Sequence, residues 1–264
     1  MTRVLVLGAH PDDAEFFAGG LLACHHQAGS TVRLVSVTNG QSGHHVIPSH
    51  ELILRRRAEA AKAGKCIGAE YVTWDFPDGS LLPSLDLRRA IIREVRTFQP
   101  DLILTHRPFD YHPDHRAVGQ AVQDASYMVL VPKIVPELDP PTSEPIVAYM
   151  VDLFTRPCAF RADVLMDVSE HFETVLSMLD SHSSQFYEWM PWIDRILESV
   201  PQDLVARRQW LSEWYQGKVS PRISRFWKPE FGPQPVLVEA YEISEYAGKP
   251  SSTAIEKLFP GKRF

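Results

Sequence analysis

Short apolar runs alternate with longer stretches of helical periodicity through the first half of the chain. Residues 3–7 are apolar and β-branched and predict a strand. Residues 15–28 place Phe16, Phe17, Ala18, Leu21, Leu22 and Cys24 where a helix would bury them. The same pattern predicts strands at 31–37, 69–74 and 101–105, and helices at 51–65, 85–98 and 116–131. These strands are short and apolar rather than alternating in polarity. That is the signature of a mostly parallel sheet with helices on both faces, an α/β fold.

The second half is less regular. Residues 132–145 are rich in proline and acid and read as an exposed loop. Strands are expected at 146–154, 162–168 and 236–241, and a helix at 171–180. The segment 186–227 is aromatic, carrying Phe186, Tyr187, Trp189, Trp192, Trp210, Trp214, Tyr215, Phe226 and Trp227. It reads as a sugar-stacking wall or acyl pocket, or as packing of helices onto the sheet or a subunit interface, and packing is preferred. The expectation is one domain over residues 1–264, with a core at 1–170 and an aromatic-rich elaboration at 171–264. The tail 251–264, with Lys257, Lys262 and Arg263, reads as an exposed extension or the arm of a homo-oligomer.

Composition narrows the class of partner. At 264 residues, 44% hydrophobic and 23% charged, the chain has the balance of a globular domain with a sizeable core. A net charge of −6 argues against nucleic acid and against anionic membrane surfaces. No apolar run approaches the roughly 20 residues of a membrane span, and residues 1–20 lack a secretory pattern. Three scattered cysteines, Cys24, Cys66 and Cys158, make neither a disulfide framework nor a thiolate zinc site. The expected setting is a reducing cytoplasm.

Chemistry concentrates at two strand ends. His10-Pro11-Asp12-Asp13 follows the first strand and precedes the first helix. One Asp can cap that helix while the other, or the His, points into the crevice where open α/β sheets bind ligands. A catalytic zinc site wants three His or carboxylate ligands and one open position. His10 and Asp13 can supply two from a single turn, leaving Asp12 as a base beside the metal. Taken alone, the stretch could equally be a helix cap and a polar loop. His106 and the run Asp110-Tyr111-His112-Pro113-Asp114-His115 follow the fourth strand in the same topological position. Two such loops converge on one crevice, which favours the metal. Between them lie Arg55, Arg56 and Arg57, two of which are expected to face solvent, and Asp78 in a Pro-Asp-Gly turn. His44, His45 and His50 read as solvated loop residues or the lining of a polar cleft. No G-x-G-x-x-G follows the first strand, so a dinucleotide-binding version of the fold is not expected.

Residues Ala9 to Glu15, with Gly19-Gly20 behind them, resemble the first signature of the LmbE-like (PIG-L) family of zinc-dependent N-deacetylases. His112-Pro113-Asp114-His115 resembles the second signature, and Arg56 to Glu59 and Pro77-Asp78-Gly79 resemble shorter ones. The resemblance is good over residues 3–130 and thinner beyond, where 167–169 and 182–185 look like later landmarks. It implies a Rossmann-like sheet and removal of acetyl from an N-acetylated small molecule, above all an N-acetylglucosamine derivative. It implies His10, Asp13 and His115 as zinc ligands, with iron as an alternative metal. Asp12 would be the general base. A protonated His112 would oppose the oxyanion's charge or protonate the leaving amine, Arg56 would contact substrate, and Asp114 would hold one of the flanking histidines in place. Asp110 stands where some members carry tyrosine, so a tyrosine role in oxyanion binding is not carried over. A non-sugar amide or other acyl substrate, and a non-catalytic ligand-binding α/β protein, are the alternative readings.

Overall fold

The computed structural model describes the backbone of residues 1–264 and all side chains except those of residues 220–224. Eight strands form one sheet in the order β3-β2-β1-β4-β5-β7-β6-β8. The first five in that order are parallel: β1 (Arg3–Gly8), β2 (Thr31–Thr38), β3 (Glu70–Phe76), β4 (Leu102–Thr105) and β5 (Ile146–Met150). The last three run antiparallel to their neighbours: β6 (Val164–Asp167), β7 (Val238–Ile243) and β8 (Lys262–Arg263). The mostly parallel α/β sheet expected from the pattern is therefore present.

Alternation along each strand sorts the core into two layers. Val4 and Val6 join Leu34, Leu104 and Ala148 beneath α1 (Asp13–Gln27), α2 (Ser49–Lys65) and α5 (Phe172–Ser181). Leu5 and Leu7 join Val35, Ile103 and Val147 beneath α3 (Leu85–Phe98) and α4 (Pro113–Met128). Burial on both faces is why these strands read as continuous apolar runs. Helix α3 shows the local logic. The Ser84 hydroxyl accepts the Leu87 N–H at 3.2 Å, Leu87, Ile91 and Val95 repeat at four-residue spacing, and the helix stops where Gln99 turns left-handed before Pro100.

Strand order reverses between β1 and β4, and the two His-Pro-Asp loops leave the carboxyl ends of these two strands. The crevice at that switch point is where open α/β sheets bind ligands. Helix α4 begins at Pro113 rather than near residue 116, because His112 caps it and Pro113 takes the first helical position. His115 is thus held on a helix.

The aromatic segment divides. Phe186, Tyr187 and Tyr215 are in the core, and Trp210, Trp214, Phe226 and Trp227 pack against it, including from α7 (Leu204–Ile223). Trp189 and Trp192 do not join them. Trp189 ends a π-helical turn, Gln185–Trp189, and Trp192 lies on the short α6 (Met190–Ile193). Residues 220–224 of the segment lie outside the side-chain description. The tail carries α8 (Ser252–Leu258), and Leu258 and Phe259 are buried in the core rather than extended into solvent. Among the described residues no helix is long and apolar enough to cross a membrane.

Candidate metal centre and active site

His10, Asp13 and His115 face one another at the switch point. His10 Nδ1 lies 3.2 Å from His115 Nε2 and 3.5 Å from Asp13 Oδ2, and His115 Nε2 lies 3.3 Å from Asp13 Oδ1. A tetrahedral ion with ligand bonds of about 2.0–2.1 Å requires donors spaced about 3.3 Å apart. The two imidazole nitrogens face different oxygens of Asp13, and the wider cluster brings together three sets whose donors could share a divalent cation: His10, His112 and His115; Asp13, His106 and His115; and His10, Asp78 and Asp114. Around them lie carboxylates whose charge calls for a cation. Burial opposes charge on His10, but Asp114, Asp13 and Asp78 outweigh it and hold its imidazole well above the ordinary range. Burial likewise opposes charge on His115, yet Asp13 and Asp110 raise it to about 9. Burial disfavours charge on Asp13 as well, but His115 and His106 hold its carboxyl well below the usual range.

Each of the three is held from behind. His10 Nε2 lies 3.2 Å from Asp78 Oδ1 and 3.5 Å from Asp114 Oδ2. Asp114 is itself fully buried and accepts the N–H groups of Gly79 at 2.7 Å and Leu81 at 3.2 Å. Asp114 thus steadies His10, across the crevice, rather than either histidine beside it in sequence. Asp110 Oδ1 lies 3.1 Å from His115 Nδ1 and accepts the His112 N–H at 3.0 Å. His106 Nε2 lies 3.1 Å from Asp13 Oδ2 and 3.2 Å from the Ala9 N–H, and its ring stacks on His115 at 3.9 Å. One ring nitrogen cannot donate and accept at once. Beside an ionised carboxylate its proton belongs toward Asp13.

Asp12 points elsewhere. It occupies the position before α1 but makes no side-chain cap, and neither does Asp13, whose Oδ2 accepts the His10 N–H at 2.7 Å. The expected capping Asp is absent from this helix. Asp12 Oδ1 instead lies 3.2 Å from Arg56 Nη2, both side chains almost fully buried. Burial pushes the Asp12 carboxyl up, and the Arg56 guanidinium works against that rise. Room for Arg56 comes from two glycines: a Cβ at Gly40 or Gly43 would stand 2.7 or 2.8 Å from its Nη1. Arg56 is 2% exposed, so its direct partner is Asp12.

His112 lies beside the triangle, its ring 4.5 Å from that of His10. Its Nδ1 accepts the Asp114 N–H at 3.2 Å and caps α4. A protonated imidazole has no acceptor nitrogen. The charged His112 expected from sequence is therefore incompatible with the cap, and burial together with His10 and His115 lowers its pKa in the same direction. The ring is neutral and presents Nε2–H.

Of the three arginines, Arg55 and Arg57 each keep about a third of the side chain exposed, as expected, and Arg57 pairs with Asp75, whereas Arg56 is buried. Arg55 binds Glu188 and Glu59. Glu59 also accepts the Ser184 N–H and the Ser183 hydroxyl, each at 2.9 Å, which ties α2 to the elaboration. Behind Asp12, His182 Nε2 meets Glu15 Oε1 at 3.1 Å, both side chains wholly buried. Of the loop histidines, His50 is exposed, whereas His44 is bound to Glu188 and His45 is stacked. Sequence reasoning passed over His106, Asp110 and Asp78 as supports. His106 and Asp110 stood in the second cluster, but only a folded chain shows which ligand each one faces.

Fold and site together define an α/β protein with a crevice of histidines and carboxylates at its switch point, arranged so that they could hold a cation. Residues 5–126, which carry both loops, match the PIG-L family, described as GlcNAc-PI de-N-acetylase. The chain is 27% identical over 210 residues to the diacetylchitobiose deacetylase of Thermococcus kodakarensis, covering 74% of this chain and 76% of that protein. It is 23% identical to the 4-oxalmesaconate hydratase of Pseudomonas putida, over 70% of this chain and 74% of that protein. The structure of N,N′-diacetylchitobiose deacetylase from Pyrococcus horikoshii has the same fold, with a TM-score of 0.71 at 23% identity, covering 93% of this chain and 84% of that one.

Proposed function

We propose that this protein is a metal-dependent hydrolase that removes acetyl from an N-acetylated amino-sugar derivative. The observation that carries the reading is the donor triangle of His10, Asp13 and His115, with edges of 3.2–3.5 Å, beside the buried Asp12. His10, Asp13 and His115 would hold the ion, with zinc the first choice for two imidazoles and a carboxylate and iron the second. A divalent ion held there supplies Lewis-acid polarisation of the acetamide carbonyl and acidifies water. Asp12 takes a proton from the attacking water at a carboxylate oxygen and returns it to the leaving amine as the C–N bond breaks. Arg56 fixes that carboxylate and favours its ionised form between turnovers. His112, neutral, directs Nε2–H at the oxygen that becomes negative. Asp78 and Asp114 fix His10, Asp110 fixes His115, and His106 fixes Asp13.

The deacetylase relative supports amide hydrolysis of an N-acetylglucosamine compound. The hydratase relative supports a second reading, in which the same base adds water to an activated carbon–carbon double bond. Acetate release from a panel of N-acetylglucosamine derivatives, measured with chelated and with zinc-loaded protein, separates them. Zinc-dependent acetate release is the expected result. A zinc-binding protein that releases no acetate from any sugar or simple acetamide, yet hydrates a conjugated enol acid, would establish the second reading. Protein that binds no divalent metal would overturn both.

A further inference from the structure

Trp189 and Trp192 leave the core that the other aromatics of their segment join, and stack on the loop after β2. Trp192 lies against His45 with ring centroids 4.7 Å apart and planes 8° from parallel. Trp189 lies 5.4 Å from Trp192 at 17°, and His44 lies 4.7 Å from His45 at 17°. Trp192 is 45% exposed, beside the exposed Val46 and Ile193. Among the described residues His45 Nδ1 has no hydrogen-bond partner, and the ring stacks on His44, Trp189 and Trp192.

The loop that carries the stack is tied to the crevice through Asp78. Ser42, three residues before His45, donates its N–H to Asp78 at 3.1 Å, and the other oxygen of Asp78 reaches His10. The backbone between Ser42 and His45 spans at most about 11 Å, so the stack and the support of His10 share one short loop. Gly43, between them, abuts Arg56 and accepts a hydrogen bond from Gln185 at 3.0 Å through its carbonyl. His44 is anchored on Glu188, which Arg55 holds in turn. The loop and its aromatic stack are thus pre-ordered at the carboxyl edge of the sheet, the edge from which His10, Asp78 and His115 also rise.

We propose that Trp192, backed by His45 and Trp189, is a platform for a second ring of the substrate, attached to the N-acetylated sugar that enters the crevice. The proposal rests on the deacetylase reading for the identity of that first sugar. A ring with an apolar face, a pyranose or an aryl group, is the shared chemistry. An exposed indole offers such a ring a large flat surface at small entropic cost, because it is already held by its neighbours. Trp189 and Trp192 lie outside residues 5–126, so this platform belongs to the part of the chain that the family match does not cover.

The test uses the zinc-loaded full chain with N-acetylglucosamine, N,N′-diacetylchitobiose and 4-nitrophenyl N-acetyl-β-glucosaminide. The expected result is that Trp192→Ala lowers kcat/KM for the two-ring substrates about tenfold more than for the single sugar, through KM. Trp192→Phe should restore most of the difference. A fall confined to the nitrophenyl glycoside assigns the platform to aryl groups, and one confined to chitobiose assigns it to sugars. An equal effect on all three substrates overturns the platform while leaving deacetylation standing. Calorimetric affinities of the same compounds, measured in the Asp12→Asn protein, read the platform without turnover. If no acetate is released from any of the three, the deacetylase reading fails and these affinities decide the platform alone, with no loss in Trp192→Ala overturning it. Concentration-dependent self-association that Trp192→Ala abolishes, with unchanged affinities, would assign the patch to a second copy of the chain and overturn the proposal.

Discussion

The chain uses the tripeptide His-Pro-Asp twice, at the ends of adjacent parallel strands, and to opposite ends. In the second loop the protein satisfies its own groups. His112 caps α4, and Asp114 accepts two backbone N–H groups while facing His10. In the first loop the helix starts without a side-chain cap. His10 and Asp13 turn toward His115, and Asp12 pairs with Arg56. The first loop turns two side chains, His10 and Asp13, toward the shared cluster, whereas the second turns only His115 there and uses His112 and Asp114 to bind backbone N–H groups. The lesson is that a short motif states which groups are available and leaves their use to the neighbours that meet them.

Four substitutions and one exchange measurement test that contrast, taken here from the largest expected effect to the smallest. Asp12→Asn should cut turnover by about 10²–10⁴ while zinc stays bound and the fold is unchanged, since this carboxylate acts on the proton and not on the metal. Full zinc content with undiminished turnover would remove Asp12 from the chemistry. His112→Asn keeps an excellent N-cap and deletes the Nε2–H. Its turnover should fall by about 10²–10³ with little change in melting temperature. A stable variant at full rate would make His112 a cap and nothing more.

Asp114→Asn and His106→Phe should act through the metal instead. Each is expected to weaken zinc affinity by about 10–100-fold in a competition titration, because each loosens a ligand it holds. Asp114→Asn should also lower unfolding free energy by about 1–3 kcal/mol, as its amide nitrogen cannot accept the N–H groups of both Gly79 and Leu81. Unaltered zinc affinity in both variants would show the triangle to be positioned by backbone alone. Zinc removal is the mildest perturbation. Hydrogen exchange should quicken at the amides of residues 10–15 and change little at 112–116, where the protein already supplies the partners. Equal protection changes in the two loops would erase the distinction between them.

Sequence order determined much of this molecule. Strand–helix alternation with strands apolar on both faces predicted the parallel sheet, and helix α3 was bounded correctly because Ser84 and the Gln99-Pro100 junction are local signals. The pair of His-Pro-Asp stretches pointed to one crevice, because residues placed just past neighbouring parallel strands must converge, and the resemblance supplied the set His10, Asp13 and His115. Tertiary structure decided what no spacing encodes. That Asp12 meets Arg56, that Asp114 crosses to His10, and that His106 supports Asp13 are contacts between residues 44 to 104 positions apart. It also decided the state of His112, since a nitrogen that accepts a backbone N–H cannot carry a proton. Composition treated the aromatic segment as one unit, a stacking wall or, preferred, packing, whereas burial sent Phe186 and Tyr215 inward and left Trp192 exposed. Local sequence sets the backbone path through short-range sterics and hydrogen bonds. Partner choice among polar side chains depends on distances that exist only once the sheet has closed.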